Sequence, residues 1–453
     1  MRLLDTRTAG DHPGRHRQWL TGSRRGVLSI AAGSAGGQLL LLLAAPVLAR
    51  LYSPSDFGVF AVLATLAAAA GAVAAGRFEL AVPLPERDGE AHDLVVLGLV
   101  VALGTALAGT VLVALAGARI ATLFDQPALA SWLWLVPWTA AAMATLQILN
   151  QLAIRFRRYA AIGRRNLLQT CATLLAQFGA GAAGLRAGGL MLGLGAGQAV
   201  AALSLLPGLH RRVAGEERAT PRRLWRTAVR HRRFPLLLAP SGLLNVLGLQ
   251  LPVLLFAYYY GSDVAGWFGF TQRMLAAPAA LLGLAVAQVY LAELSRVARA
   301  DAARAVAVFL RASRQLAMVA AVGGLVVALS APAAFVLAFG PQWATSGVYA
   351  QALALFLAAQ FVGSPLSQSL VVFGRHGLQL SWDAGRMLLT TAAVVVPSLL
   401  GAPALTAVWA FGISAAAAYG ASWLLSLHIL KRATRLPPES VPETVAPEVA
   451  EQR

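Results

Sequence analysis

The stretch TQRMLAAPAALLGLAVAQVY, residues 271–290, is long enough and apolar enough to cross a lipid bilayer. A helix of about 20 residues spans roughly 30 Å, which is the thickness of the hydrocarbon core. Similar apolar runs recur along the whole 453-residue chain, in which 58% of the residues are hydrophobic and 12% are charged. This composition predicts an all-α integral membrane protein.

The sequence offers little material for catalysis, redox chemistry or metal binding. Its one cysteine, Cys171, can form no intramolecular disulfide, and its histidines are scattered without the spacing of a metal site. We therefore expect no catalytic residue, no metal and no cofactor. A net charge of +18 would favour nucleic acid as the partner of a soluble protein. The positions of the charges indicate a different role.

The apolar runs, divided at loop signals, predict about twelve transmembrane helices. The spans cover residues 26–50, 57–77, 93–117, 128–150, 166–185, 187–209, 235–260, 264–291, 313–338, 345–372, 382–400 and 404–430. The divisions between the fifth and sixth spans and between the last two are the shortest. The fifth and sixth spans are divided by a Gly-rich segment, and the last two spans are divided by the turn GAPA.

The cationic residues predict the orientation of these spans. With the N-terminus in the cytoplasm, and with cations near the inner end of a span counted with the inside, all but four of the 37 Lys and Arg residues fall on the inside. The exceptions are Arg50, Arg119 and Arg186 on the outside, and Arg273 within a span. This asymmetry is typical of a multi-pass protein of the bacterial inner (plasma) membrane with both termini in the cytoplasm. We attribute the arginines of segment 210–234 to topology and to contacts with anionic lipids, and we expect no nucleic-acid binding.

Two similar turns predict an internal repeat. YSPSDFGVF at 52–60 and YGSDVAGWF at 260–268 share a Ser-Asp pair, a glycine and a phenylalanine. A Ser-Asp pair before an apolar run is also a common helix N-cap, so both hypotheses stay open. Asp56 and Asp263 are the acidic members of the two turns, and we assign them gating or structural roles.

The repeat predicts two bundles of six helices each. The predicted segments are a basic cytoplasmic arm (1–25), an N-terminal bundle (26–209), a basic cytoplasmic linker (210–234), a C-terminal bundle (235–430) and a disordered cytoplasmic tail (431–453). Substrate would lie in a cleft between the bundles, which rock to expose it to each side in turn. Small-residue segments such as GSAGGQ at 33–38 would allow helices to slide, and simple tight packing explains them equally.

Four segments resemble bacterial polysaccharide and O-antigen flippases. They are FGPQWATSGVYAQALALFLAAQFVGSPLSQ (339–368), LARLYSPSDFGVFAVLATL (48–66), GRFELAVPLPERDGEAHDL (76–94) and RMLAAPAALLGLAVAQVYLAEL (273–294). The resemblance extends over the membrane core, from residue 26 to about residue 390. One departure is Thr345-Ser346-Gly347, where the family more often has an acidic residue or alanine before the glycine.

The resemblance implies a member of the multidrug, oligosaccharidyl-lipid and polysaccharide exporter superfamily. Such a protein has two bundles around a V-shaped central cavity and makes or breaks no bond, so it is not an enzyme. The implied substrate is an undecaprenyl-diphosphate-linked oligosaccharide, moved to the outer leaflet for O-antigen, lipopolysaccharide or exopolysaccharide biosynthesis. A polysaccharide polymerase and glycosyltransferases are the implied protein partners.

Arg273 is the leading candidate for substrate binding. It lies about ten residues into the eighth predicted span, on the order of 15 Å from the outer end, and a charge at such depth usually faces a cavity or a partner. A guanidinium suits a diphosphate because its donors form a planar fork. The structural alternative is that Arg273 reaches the interface or binds carbonyl oxygens exposed near Pro278.

The other candidates have equally open roles. Arg50 would contact the diphosphate on release or anchor the helix at the interface. Arg77 and Glu79 would form an ion pair or gate at the inner face, or Arg77 would capture substrate there. The amides within or near the spans suit sugar hydroxyls or interhelical hydrogen bonds. These amides are Gln198, Asn245, Gln250, Gln272, Gln288, Gln360 and Gln368, of which Gln272, Asn245 and Gln288 are the ones that we assign to substrate.

Alternative functions predict different charges and loops. A cation-coupled multidrug exporter of the same superfamily would place acidic residues in its cavity, whereas this chain places Arg273 there. A lipid II flippase would normally have more than twelve spans and more cavity arginines. A polysaccharide polymerase would have a large outside loop, and the long hydrophilic segments here are predicted to be inside. A membrane scaffold would explain neither the repeat nor the charge within a span.

Overall fold

The computed structural model of the chain describes residues 13–213, 220–298, 302–367, 369 and 376–433. This part of the chain is built from helices and turns and contains no β-strand. The α-helices are α1 (Pro13–Leu51), α2 (Pro54–Val73), α3 (Asp88–Leu123), α4 (Pro127–Trp132), α5 (Leu135–Arg155), α6 (Tyr159–Ala182), α7 (Arg186–Val213), α8 (Pro221–Arg230), α9 (Ala239–Ala298), α10 (Ala302–Phe339), α11 (Ala344–Leu366), α12 (His376–Leu399) and α13 (Ala404–Ala433).

Within the described residues, each predicted span coincides with helical structure, and residues 368 and 370–372 of the tenth span lie outside the described residues. The fourth span covers α4 and α5, and the seventh and eighth spans both lie in α9, which is broken at Gly261. The two shortest divisions are correct, because separate helices lie on either side of each turn. Within the described residues, eight stretches are long and apolar enough to cross a membrane by length and composition.

Helical structure extends into three of the predicted segments. Helix α1 begins at Pro13, within the predicted arm, and α13 continues to Ala433, within the predicted tail. The predicted linker is also partly helical, because α7 extends to Val213 and α8 follows. Residues 1–12, 214–219 and 434–453, where the rest of the arm, linker and tail predictions fall, lie outside the described residues.

Local sequence explains where the helices of the two Ser-Asp turns begin. Ser53 is the N-cap of α2: its Oγ accepts from the Asp56 backbone N–H at 3.2 Å, and Asp56 Oδ2 accepts from the Ser53 N–H at 3.0 Å. This reciprocal pair is a capping box, and Pro54 occupies the first turn. In α9 the break falls at Gly261, whose φ of 86° is readily adopted only by glycine.

Contacts divide the chain into two compact units, Met1–Gly266 and Trp267–Arg453. In the first unit α6 packs on α1 and α7, while α5 packs on α2, α3 and α7. In the second unit α11 packs on α10 and α13, and α12 packs on α13. The first unit includes the predicted linker and the seventh span. The boundaries of the two six-helix halves, which rest on the repeat, stay a prediction.

Small residues bring α1 and α6 into backbone contact. A Cβ atom on Gly33 would lie 2.2 Å from the Gly163 carbonyl oxygen, and one on Gly163 would lie 2.3 Å from the Ser29 carbonyl oxygen. Neither glycine can therefore be replaced without moving a helix. Close packing thus accounts for this glycine of the GSAGGQ segment.

Candidate functional site

Arg273 lies in α9, about twelve residues and so roughly 18 Å beyond the break at Gly261. Its side chain is partly buried, and so is that of its neighbour Gln272. Within the described part of the chain no hydrogen bond or ion pair holds the Arg273 guanidinium. An unneutralised guanidinium at this depth is costly unless a ligand or water supplies acceptors.

The FGPQW motif positions the turn of α9 that carries Arg273. Trp343 is fully buried, and its ring lies 4.1 Å from that of Phe270, measured between centroids. Thr271 Oγ1 donates to the Ser346 carbonyl at 2.9 Å, and Ser346 Oγ donates to the Trp267 carbonyl at 3.1 Å. Ser346, at the position where this chain departs from the family pattern, is therefore a buried contact between α11 and α9.

Arg77 and Glu79 form the predicted ion pair. Arg77 Nη1 lies 3.4 Å from Glu79 Oε1, and the Glu79 side chain is only 4% exposed. Arg77 adopts a positive φ of 60°, and a Cβ atom added to Gly242 would clash with its guanidinium. The absence of a side chain at Gly242 thus lets Arg77 lie against the start of α9. The pair supports the local interpretation of these two residues.

Arg155, which sequence reasoning missed, stabilises the loop that carries Glu79. Its Nε and Nη2 donate to Asp88 Oδ1 at 3.0 and 2.8 Å, and the guanidinium also donates to the backbone carbonyls of Val82, Pro83, Pro85 and Glu86. Carbonyl oxygens in a loop lack the partners that a helix provides. The loop between α2 and α3 is therefore tied to the end of α5, and no local sequence pattern indicates this contact.

Helix α8 docks on the start of α3 through ion pairs. Arg223 Nη2 lies 3.0 Å from Asp93 Oδ2, and the Asp93 side chain is 6% exposed. Glu90 Oε1 accepts from Arg230 Nη1 at 3.0 Å and lies 3.3 Å from His231 Nε2. The predicted linker is therefore held against the first bundle. The spacing of Glu90 and Asp93 on one helix face is the sequence feature that could have indicated this contact.

The remaining candidates have varied environments. Arg50 is exposed in the last turn of α1, where a positive charge interacts favourably with the helix dipole. Asn245 and Asp263 are exposed on α9, whereas Asp56 completes the capping box described above. Gln288 and Pro278 also belong to α9, but their side chains lie outside the described residues.

The two Ser-Asp turns contact each other directly. Ser55 Oγ lies 2.8 Å from Ser262 Oγ, and these serines are equivalent in the predicted repeat. A Cβ atom on Gly58 would lie 1.8 Å from the Ser262 carbonyl oxygen, and one on Gly266 would lie 1.8 Å from the Pro54 carbonyl oxygen. The equivalent glycines therefore make reciprocal backbone contacts, as expected for two related elements that meet.

Comparison with known families agrees with these motifs. The family model described as "Polysaccharide biosynthesis protein" matches residues 47–347, which include the Ser-Asp turns, Arg273 and the FGPQW turn. The chain belongs to this family. No curated protein matches the sequence.

Solved structures of transporters share the fold. Lipid II flippase MurJ, in an inward closed conformation, aligns over 90% of this chain and 90% of its own, with 13% identity and a TM-score of 0.68. An inward-facing multidrug resistance MATE family transporter of the MOP superfamily aligns over 90% and 95%, with 14% identity and a TM-score of 0.59. A MOP superfamily transporter from Pyrococcus furiosus aligns over 91% and 96%, with 14% identity and a TM-score of 0.60.

These matches confirm the predicted fold class. The chain is an all-α, multi-pass membrane protein whose fold is similar to the folds of MurJ and of a MATE family transporter, and it belongs to a polysaccharide biosynthesis family.

The buried carboxyl of Glu79 makes a pH-dependent contribution to stability. Burial raises its pKa above the ordinary value of 4.5, while Arg77 opposes the shift. The folded chain then binds this proton more tightly than the unfolded chain. The contribution is fully present below pH 4.5 and is lost as pH rises through the folded pKa.

We expect the unfolding temperature of the purified protein to fall across that pH window, and Glu79→Gln to remove this part of the fall. Thermal unfolding in detergent, followed from pH 4 upward in steps of about half a unit, measures the difference in slope. Glu86→Gln is the matched control, because Glu86 is exposed in the same loop. Equal slopes for wild type and Glu79→Gln would contradict the assignment.

Proposed function

We propose that the chain is a flippase that moves undecaprenyl-diphosphate-linked oligosaccharide units across the bacterial inner (plasma) membrane for surface polysaccharide biosynthesis. The observation that carries the proposal is Arg273, a partly buried cation within α9 that has no partner among the described residues of a polysaccharide biosynthesis family member. A diphosphate headgroup would supply the missing negative charge. MurJ, which has a similar fold, is a lipid II flippase.

Transport would proceed by alternating access. The Ser-Asp turns, which are predicted to face outside, are closed on each other in this structure. Their separation would open the path to the outer leaflet, and the substrate would be released there. No bond is made or broken, so the proposal includes no enzymatic step.

The proposed orientation places both termini and α8 in the cytoplasm. Helix α8 exposes Trp225 and three arginines, Arg222, Arg226 and Arg230, which suits contact with anionic lipids at the inner leaflet. A polysaccharide polymerase and glycosyltransferases remain the proposed protein partners, because they act on the same lipid-linked units.

The second candidate is a multidrug exporter, since a MATE family transporter has a similar fold. Cationic drugs require negative charge in the cavity, and the carboxylates Asp56 and Glu79 are used in a cap and an ion pair. The charge of Arg273 therefore favours the anionic substrate.

Deletion of the gene in the bacterium that encodes it tests the proposal. We expect loss of a surface polysaccharide and accumulation of lipid-linked oligosaccharide in the inner leaflet, both reversed by a plasmid copy. Extraction and mass analysis of the lipid-linked fraction provides the measurement. Unchanged surface polysaccharide together with increased drug sensitivity would support the exporter instead.

A further inference from the structure

Arg165 lies near the predicted inner face of the first unit. It is about six residues from the start of α6, and Asn150 is about five residues from the end of α5, so both lie roughly 8–9 Å along their helices. In the predicted orientation, this depth corresponds to the headgroup level of a bilayer. By sequence alone, Arg165 is one of the cations on the predicted inner side.

The guanidinium of Arg165 binds two neutral amides. Nη2 donates to Asn150 Oδ1 at 3.1 Å and Nη1 donates to Gln169 Oε1 at 3.1 Å. Nε is buried and has no acceptor among the described residues. By contrast, the partly buried Arg155 and Arg223 are each paired with an aspartate. The charge of Arg165 is therefore not neutralised by a carboxylate within the described structure.

This arrangement leaves an excess of hydrogen-bond donors. The two amide oxygens are used in accepting from Arg165, so the amide NH2 groups of Asn150 and Gln169 are the groups left to bind something else. Together with the guanidinium they form a positive, donor-rich and acceptor-poor cluster. Such a cluster suits the oxygens of a phosphate and does not suit a metal cation or an amine.

Contacts on the other side of α6 determine the direction of Arg165. Gly163 packs on the backbone of α1, and Asn166 Nδ2 donates to Ser34 Oγ at 2.9 Å. These neighbours hold one face of the α6 turn against α1, and the Arg165 side chain then reaches α5. The cluster is thus positioned by the fold rather than by a flexible loop.

We propose that Arg165, Asn150 and Gln169 form a cytoplasmic-side binding site for the diphosphate of an isoprenoid lipid. The site deepens the proposed function and rests on it, because it would hold the headgroup before the substrate reaches Arg273. The same chemistry would accept free diphosphate or an anionic phospholipid headgroup.

Binding of three probes to the purified full chain in detergent tests the site. Farnesyl diphosphate represents the isoprenoid diphosphate, inorganic diphosphate represents the free anion, and phosphatidylglycerol represents the phospholipid. We expect Arg165→Gln to weaken farnesyl diphosphate binding about tenfold or more by titration calorimetry, since one charged donor group is lost. Asn150→Ala should weaken it about threefold, and Arg165→Lys, which lacks the fork, should give an intermediate value.

The matched control is Arg164→Gln, which removes the same charge from the adjacent exposed position and should leave affinity within about twofold. Unchanged affinity in Arg165→Gln with a lowered unfolding temperature would overturn the site and leave a structural tie between α5 and α6. Equal affinity for inorganic diphosphate or phosphatidylglycerol would overturn the assignment to an isoprenoid diphosphate.

If Arg273→Ala weakens binding and Arg165→Gln does not, this inference fails and the proposed function stands. If neither variant changes binding and the gene deletion leaves surface polysaccharide unchanged, the proposed function fails as well.

Discussion

Arg273→Ala is expected to abolish export of lipid-linked oligosaccharide while the protein still inserts in the membrane. Hydrogen bonds to a charged group contribute about 1.5–3 kcal/mol, so the loss of one corresponds to roughly a tenfold to hundredfold weaker interaction with a diphosphate. The structure supports the expectation because no described residue competes for the Arg273 guanidinium. Complementation of the deletion strain, scored by surface polysaccharide, measures the effect.

Two controls separate substrate contact from a structural role. Arg119→Ala removes an exposed cation and should retain activity, whereas Arg273→Lys keeps the charge without the fork and should be partly active. If the carbonyl oxygens near Pro278 were the real partners, Pro278→Ala would reproduce the Arg273→Ala defect. Full export by Arg273→Ala would refute the substrate role, and failure of this variant to insert would assign Arg273 to structure.

Gly58→Ala and Gly266→Ala are each expected to force the Ser-Asp turns apart. A methyl group at either position would lie 1.8 Å from a backbone carbonyl oxygen, which cannot move away as a side chain can. Overpacking of this kind costs about 1–3 kcal/mol, or roughly a fivefold to 150-fold shift away from the closed arrangement. Gly104→Ala is the matched helical control because open space surrounds that position.

Crosslinking measures the shift directly. With the native thiol removed by Cys171→Ser, the pair Ser55→Cys and Ser262→Cys should form a disulfide, since the serine oxygens are 2.8 Å apart. We expect efficient crosslinking in that background, reduced crosslinking after Gly58→Ala or Gly266→Ala, and a reversible loss of export when the disulfide forms. Normal export by the fully crosslinked protein would show that the turns need not separate.

The two Ser-Asp turns could be located from the sequence, but the roles of their serines could not. Ser55 and Ser262 are equivalent residues of the predicted repeat. From the sequence alone, each serine is also a candidate helix N-cap. The structure gives the cap to Ser53 with Asp56 and uses Ser55 and Ser262 for contact between the turns. Local patterns alone could not distinguish these roles, because both need a small hydroxyl side chain near a helix start.

The role of Arg165 could not be predicted from the sequence. In the sequence it is one of several arginines in a basic inside loop, and its neighbour Arg164 has the same local composition. Only the packing of α6 on α1 turns one of the two toward Asn150 and leaves the other exposed. Adjacent helical residues point about 100° apart around the helix axis, so Arg165 belongs to the candidate site while Arg164 is a solvated charge.

The sequence by itself determined the membrane class, the helical spans and the predicted orientation, because run length, hydropathy and charge distribution act locally along the chain. It also determined the family, through motifs whose order is preserved. The tertiary structure decided which other charges are paired: Arg155 with Asp88, Arg223 with Asp93, and Arg165 with two neutral amides. The reason is that such contacts depend on how each helix is rotated and packed, which residues far apart in the sequence decide together.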